Sequence, residues 1–302
     1  MTRRLVLVGS VIVDLVMYVD RLPSKGSDVI AERSLIAVGG GRNVLVAALR
    51  QGLPAVYAGR HGTGPFGERI RSTLAADGIE LLLGPAGGDA DSGYCMALVE
   101  PDGERTFATT IGVEGGLTAS DLSRIEVDDE DFVYVSGYDL LYPHGPVIAD
   151  WVQRRMAGTL VVDPSPLADE IDSELLDAVL DRATWASLNE REAQLLGGRA
   201  DRAASLLLRQ GANGCLVRHA GTSRHVPGLS VRLVDSNGAG DAHVGAFVAA
   251  LARGDDPAEA ARWANAAAAI SVTRKGPATG PTLAETRQWL SPPPERAPSP
   301  AR

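Results

Sequence analysis

Apolar runs of strand length alternate with stretches of helical period through most of this 302-residue chain, and that alternation constrains the fold more tightly than any other feature. Residues 5–8, 55–59, 132–135, 160–162, 185–188 and 214–217 read as core strands. Residues 43–50, 68–76, 147–156, 173–180, 202–209, 242–252 and 257–270 read as helices. A strand that is apolar throughout, followed by a helix and then another such strand, is the pattern of a parallel sheet covered on both faces. The expected fold class is therefore α/β, with a three-layer α/β/α core.

Two stretches break the rhythm and alternate with period two instead. Residues 11–38 turn at Pro23-Ser24-Lys25-Gly26, and residues 93–110 turn at Pro101-Asp102-Gly103-Glu104. Both predict hairpins, which can pair into a small separate sheet over one edge of the core as a lid. The expected organisation is one domain over 1–290, a β-lid from about 11–38 and 92–111, and a disordered Pro-rich tail over 291–302.

Charge removes several function classes. Lys and Arg together number 29 against 38 for Asp and Glu, a formal net charge of -9, which argues against a general nucleic-acid or anionic-membrane binder. Lys occurs only at Lys25 and Lys275, neither preceded by the glycine pattern of the Gly-Lys-Ser/Thr phosphate loop. Cys95 and Cys215 stand far apart in apolar stretches and read as inert packed thiols. No apolar run approaches a membrane span and no secretory signal is legible, so a cytoplasmic protein is expected.

Gly-rich turns compete for the role of phosphate site. Gly62-Thr63-Gly64-Pro65-Phe66-Gly67 has the Gly-x-Gly-x-x-Gly spacing of a dinucleotide turn, which would suit an oxidoreductase. It follows a late strand, however, and carries Pro65 where a backbone donor is wanted. Asp235-Ser236-Asn237-Gly238-Ala239-Gly240-Asp241 is the sharper candidate. Its small residues allow tight curvature, so that backbone N–H groups converge on the positive end of the following helix and can hold an anion. Asp241 then lies in the first turn, either as a simple cap or as a base for a hydroxyl attacking phosphorus.

The segment 235–241 resembles the C-terminal signature of the ribokinase, or PfkB, family of carbohydrate kinases. Gly9-Ser10 with Asp14, Gly39-Gly40-Gly41-Arg42-Asn43, Asn189-Glu190-Arg191-Glu192 and Arg274-Lys275-Gly276 resemble further family motifs, in the family's order. The resemblance implies a ribokinase-like fold and an ATP-dependent kinase acting on a hydroxyl of a sugar or sugar derivative. Asp241 would be the general base, with the Gly238, Ala239 and Gly240 amides on the moving phosphoryl group. Asp14, Gly40, Gly41 and Asn43 would contact the acceptor, and Asn189, Asn237, Gly238, Gly240, Lys275 and Gly276 the nucleotide. Asn189 and Glu192 would organise Mg²⁺ through water, and Asp235, Ser271 and Gly276 would lie at a potassium site.

Arg42 and Arg105 are either solvated surface or, if they face the cleft, forked donors for an anionic group on the acceptor. His243 stands where the family commonly has Phe and reads as a packed histidine rather than a second base. Ile12 replaces an Asn of ribose-specific members, and the strand at 132–138 lacks their acidic residue, so the acceptor can be another sugar, a sugar acid, a phosphosugar or a nucleoside. A binding protein without catalysis is the rival from another class. A homodimer through the lid is a further expectation, because an apolar face or open edge favours self-association.

Overall fold

A computed structural model describes residues 3–291; the remainder of the expected tail, 292–302, lies outside the described residues. Thirteen strands and ten α-helices make up the described chain. The strands are β1 (Leu5–Leu7), β2 (Val11–Tyr18), β3 (Arg33–Gly40), β4 (Ala55–Tyr57), β5 (Glu80–Leu81), β6 (Tyr94–Val99), β7 (Arg105–Thr110), β8 (Phe132–Ser136), β9 (Thr159–Asp163), β10 (Trp185–Asn189), β11 (Leu206–Arg209), β12 (Gly214–His219) and β13 (Thr222–Pro227). The helices are α1 (Arg42–Arg50), α2 (Pro65–Asp77), α3 (Ala119–Leu122), α4 (Gly137–Leu141), α5 (Gly145–Arg154), α6 (Ser173–Arg182), α7 (Glu190–Leu196), α8 (Ala239–Arg253), α9 (Pro257–Ser271) and α10 (Leu283–Leu290).

The large sheet runs β13-β12-β11-β10-β9-β8-β1-β4-β5. Its strands are parallel from β11 to β5, and β12 and β13 close one edge as an antiparallel hairpin. The pleat explains why both faces must be covered. Leu5 and Leu7 point into a core built with α1, α2, α8 and α9, whereas Val6 and Val8 point into a second core with α3, α5 and α6. Every one of these side chains is buried, which is what a continuous apolar strand requires.

The two hairpins pair with one another through parallel β2 and β6, giving a second sheet in the order β3-β2-β6-β7. One expectation fails. The stretch 202–209, expected as a helix, ends in strand β11, which pairs parallel with β10 along Ala186–Asn189. The run Leu206-Leu207-Leu208 fits a strand between two neighbours, and tertiary pairing overrides a weak helical period.

Helix α8 is buried along Ala242–Ala250, an apolar surface all round that marks a central helix. Gly245 sets its approach to α1: a Cβ there would stand 2.6 Å from the Ala47 Cβ and 2.7 Å from the Val44 carbonyl oxygen. Asn43 lies one turn before Ala47 on α1, and Asp241 one turn before Gly245 on α8. The close crossing therefore brings those two polar side chains together.

Candidate active site

The turn before α8 ends in Gly238 with φ of 71°, a left-handed conformation that glycine adopts without a steric penalty. No side chain caps α8, whereas α6, α7, α9 and α10 are capped by Asp172, Asn189, Asp256 and Thr282. An uncapped helix start behind a Gly-Ala-Gly turn leaves amide donors and the positive helix end for an external anion.

The Gly62 turn shows the opposite state. Phe66 and Gly67 donate backbone N–H bonds of 2.7 and 2.9 Å to the two oxygens of Asp91, and Gly62 N donates to Ser92 Oγ at 2.8 Å. The start of α2 is thus filled by a carboxylate of the chain itself, which removes the dinucleotide reading of Gly62–Gly67.

Asp241 is half-buried in the first turn of α8, and Asn43 Nδ2 donates to its Oδ2 at 3.0 Å. The Asn43 Oδ1 atom is buried and, among the described residues, without a protein partner, which leaves it an unused acceptor. Burial pushes the Asp241 carboxyl up from 3.8 to about 6; the Asn43 bond and the Arg209 charge work against that rise, and the Asp163 charge adds to it. Asp14 lies close enough to sense Asp241. Burial, then the Asp241 charge, pushes its carboxyl up to about 6 as well. Gly39 makes room for Asp14, because a Cβ at Gly39 would lie 2.0 Å from the Asp14 Oδ2 atom.

Around Asp241 the carboxyl ends of three adjacent strands carry one ionic network. Arg209, last in β11, donates to Asp163 Oδ2 at 2.7 Å, to Ser187 Oγ at 2.6 Å and to Glu192 Oε2 at 3.1 Å. Asp163 is last in β9 and Asn189 last in β10. Asn189 and Glu192 form a reciprocal cap, with Asn189 N to Glu192 Oε2 at 2.7 Å and Glu192 N to Asn189 Oδ1 at 2.8 Å. Burial, reinforced by Asp163, raises the Glu192 carboxyl despite the neighbouring guanidinium. Asp163 and Arg209 were not found from sequence. The signal available was a polar residue closing each of three neighbouring apolar strands.

A cavity of about 590 Å³ opens between this network, the start of α8 and the loop before it; its lining includes Asn189, Arg209, Gly240, His243, Asn265 and Leu233. His243 is buried, its Nε2 paired with Asn265 Oδ1 at 2.9 Å. Burial, then the Arg209 charge, lowers its pKa to about 4, so it packs as a neutral ring.

Several expected site residues are engaged elsewhere. Arg42 is not in the cleft: its Nε and Nη2 atoms grip Asp77 at 2.7 and 3.2 Å, and Nη1 donates to Val38 O at 3.0 Å, tying α1 to α2 and β3. Arg105 reaches across from β7 and binds Asp235 Oδ1. Asp235 also accepts Asn237 N at 2.9 Å and Gly276 N at 3.0 Å. Burial raises the Asp235 carboxyl, but the two amides and the guanidinium outweigh it and hold it below its ordinary value.

The Ser271 carbonyl is occupied, accepting from Arg274 N at 3.0 Å and Thr279 Oγ1 at 3.2 Å, and its hydroxyl donates to Ala268 O at 2.8 Å. Lys275 is exposed. Tyr138, also missed from sequence, lies in the first turn of α4, and its hydroxyl is pushed up to about 12, first by partial burial and then by its acidic neighbours, among them Asp163, Asp241 and Glu192.

Among the described residues no group of three or more His, Cys, Asp or Glu side chains converges on one point. Asn189 and Glu192 therefore do not form an all-protein cage, and with Asn189 Oδ1 and Glu192 Oε2 already accepting hydrogen bonds they would reach a Mg²⁺ only through its water. No helix of the described residues is long and apolar enough to cross a membrane.

A family model described as pfkB family carbohydrate kinase matches residues 2–284. The chain is 33% identical to the uncharacterized sugar kinase YegV of Escherichia coli, over 94% of this chain and 93% of that protein. It is 28% identical to the ribokinase of Haemophilus influenzae, over 96% of this chain and 99% of that one. In fold it is similar to a Cryptococcus neoformans ribokinase solved with ADP, with a TM-score of 0.80 at 20% identity over 96% of this chain and 100% of that one. The adenosine kinase of Sinorhizobium meliloti superposes with a TM-score of 0.81 at 20% identity, over 96% of this chain and 100% of that one.

Proposed function

The chain belongs to the pfkB family of carbohydrate kinases, and we propose that it transfers the γ-phosphoryl group of ATP to a hydroxyl of a sugar or sugar derivative, with Asp241 as general base. The observation that carries this reading is the meeting of Asn43 and Asp241 at 3.0 Å over the uncapped start of α8. An acceptor hydroxyl beside Asp241 loses its proton to a carboxylate whose affinity for it lies near working pH, which is where a general base is most useful.

The amides of Gly238 and Gly240 hold the terminal phosphate, whereas that of Ala239 is taken by Ser236 O at 3.2 Å within the turn, and Asn189 and Asn237 flank the nucleotide. Asp14, Gly40, Gly41 and Asn43 orient the acceptor; Tyr138 supports it from α4. Mg²⁺, organised by Asn189 and Glu192 through water, would neutralise phosphate charge. The protein's part is positioning, proton removal and electrostatic support, which suffices for phosphoryl transfer.

The sheet β3-β2-β6-β7 serves as the lid over the acceptor. Its Ile36, Met96 and Phe107 side chains are exposed, and they support pairing with a second copy of the chain, which light scattering in solution checks. The two free cysteines, Cys95 and Cys215, fit a reducing compartment and hence the cytoplasm.

A nucleoside acceptor is the second reading. It is favoured by a cavity of about 380 Å³ beside the lid, where Phe66 and Tyr94 pack with ring centroids 5.3 Å apart and could face a base. ADP release on a panel of sugars, sugar acids, phosphosugars and nucleosides separates the two. The variant Asp241→Asn is expected to bind ATP yet lose about 10²–10⁴ of the turnover. Turnover retained in that variant sinks the assignment.

A further inference from the structure

The family resemblance puts potassium at Asp235, Ser271 and Gly276, and the side chains present do not fit it. A hard cation needs several oxygens with free lone pairs. Asp235 Oδ1 already accepts from Asn237 N and from the Arg105 guanidinium, and Oδ2 accepts from Gly276 N. The Gly276 N–H is thus spent on the carboxylate that a cation would need. The Ser271 carbonyl carries two donors, and the Val272 carbonyl carries two more, from Val234 N at 2.8 Å and Asp235 N at 3.1 Å.

What stands against Asp235 is a guanidinium, largely buried, with side-chain exposure of 20% for Arg105 and 12% for Asp235. Arg105 comes from β7, 130 residues away in sequence, so the pair bridges the smaller sheet and the turn that leads into α8. A guanidinium stays protonated at every working pH and binds a carboxylate through a fixed fork. Asp235 in turn orients the Asn237 and Gly276 amides on either side of the Gly238 turn.

On the reading of the chain as a kinase, we propose that Arg105 supplies the positive charge at Asp235 that a monovalent cation would otherwise supply, so that phosphoryl transfer by this chain does not depend on potassium. The charge is then delivered by the sheet that covers the cleft.

The test compares wild type, Arg105→Gln and Arg105→Lys in KCl and in choline chloride of equal ionic strength. It follows ADP release, melting temperature and the ²⁰⁵Tl⁺ resonance, thallous ion serving as the potassium probe. Wild type is expected to turn over within about twofold in the two salts, to melt alike and to leave the thallium line sharp. Arg105→Gln is expected to lose about tenfold or more in choline chloride, and to gain a potassium-specific rise in rate or melting temperature together with thallium broadening. Arg105→Lys is expected to stay indifferent to potassium.

Saturable thallium binding by wild type, or a severalfold activation of wild type by KCl, overturns the proposal. So does an Arg105→Gln protein that behaves alike in both salts. If that variant does not fold, the wild-type thallium and melting measurements decide. A wild type that phosphorylates nothing on the panel counts against the kinase reading, whereas the thallium result still decides this one.

Discussion

Replacing Asn43 by Leu removes the one hydrogen bond donated to Asp241 while keeping a side chain of similar shape. With Asp241 as the base, the acid limb of kcat/KM is expected to follow its titration, raised to about 6. A base with that value is about 90% ionised at pH 7 and about 10% at pH 5, so the rate falls about tenfold between them. A carboxylate at its ordinary value would lose almost nothing.

The Asn43 amide favours the charged form of Asp241, so its loss raises the proton affinity further. A hydrogen bond to a charged group is worth about 1.5–3 kcal/mol, and 1.36 kcal/mol is one pH unit, so the limb moves up by about one to two units. On the proposed reading Asn43 also orients the acceptor, so its loss lowers the whole curve, and the quantity to read is the midpoint of the limb. The assay is ADP release at low acceptor concentration from pH 4.5 to 9.5, at constant ionic strength. A limb that stays near 6, or moves down, refutes the account of Asp241 as the base held by Asn43.

Asp241→Asn should stabilise the protein above pH 6. Its folded-state value is raised, so the contribution to stability is fully present below about 3.8, lost as pH rises through 6, and a net cost beyond that. Thermal melting at pH 8 is expected to show a gain on the order of 1–3 kcal/mol that vanishes near pH 4. Arg42→Ala should cost about 2 kcal/mol of stability, because it leaves Asp77 without its mostly buried partner. It should leave KM for the acceptor unchanged, and a large KM effect in steady-state kinetics would return Arg42 to the cleft. Gly245→Val should force α1 and α8 apart, costing about 1–3 kcal/mol in denaturant unfolding and lowering kcat as Asn43 withdraws from Asp241. Arg209→Met should remove three donors from Asp163, Ser187 and Glu192 and cost about 3 kcal/mol or more, measured by denaturant midpoint at unchanged slope.

Much of the architecture could be read along the chain because it rests on local signals. The apolar runs at β1, β8 and β10 need burial on both faces, and the Pro-Asp-Gly-Glu turn closes its hairpin by its own backbone preference, whereas Pro23–Gly26 lies inside the longer loop 19–32 that joins β2 to β3. The turn 235–241 likewise owes its left-handed Gly238 and uncapped helix start to consecutive residues. The stretch 202–209 misled because its short apolar run fits either period, and only its neighbours β10 and β12 make it a strand.

Partner choice was not legible, since a charged side chain has several possible counter-ions and only folding says which is near. Arg42 could have faced the cleft until Asp77 was seen beside it, and Arg105 until Asp235 was. The glycines at 62, 64 and 67 matched a ligand turn by spacing, yet Asp91 fills it from a distant segment. The sequence alone determined the layers and the pairing of strands into two antiparallel ribbons, because periodicity and turn chemistry act over a few residues. The tertiary structure alone decided that Asn43 meets Asp241 across 198 residues of chain, that Asp163, Asn189 and Arg209 lie together at the carboxyl ends of neighbouring strands, and that Asp235 is paired with a guanidinium. Those outcomes depend on which strands and helices end side by side, and no local preference encodes that.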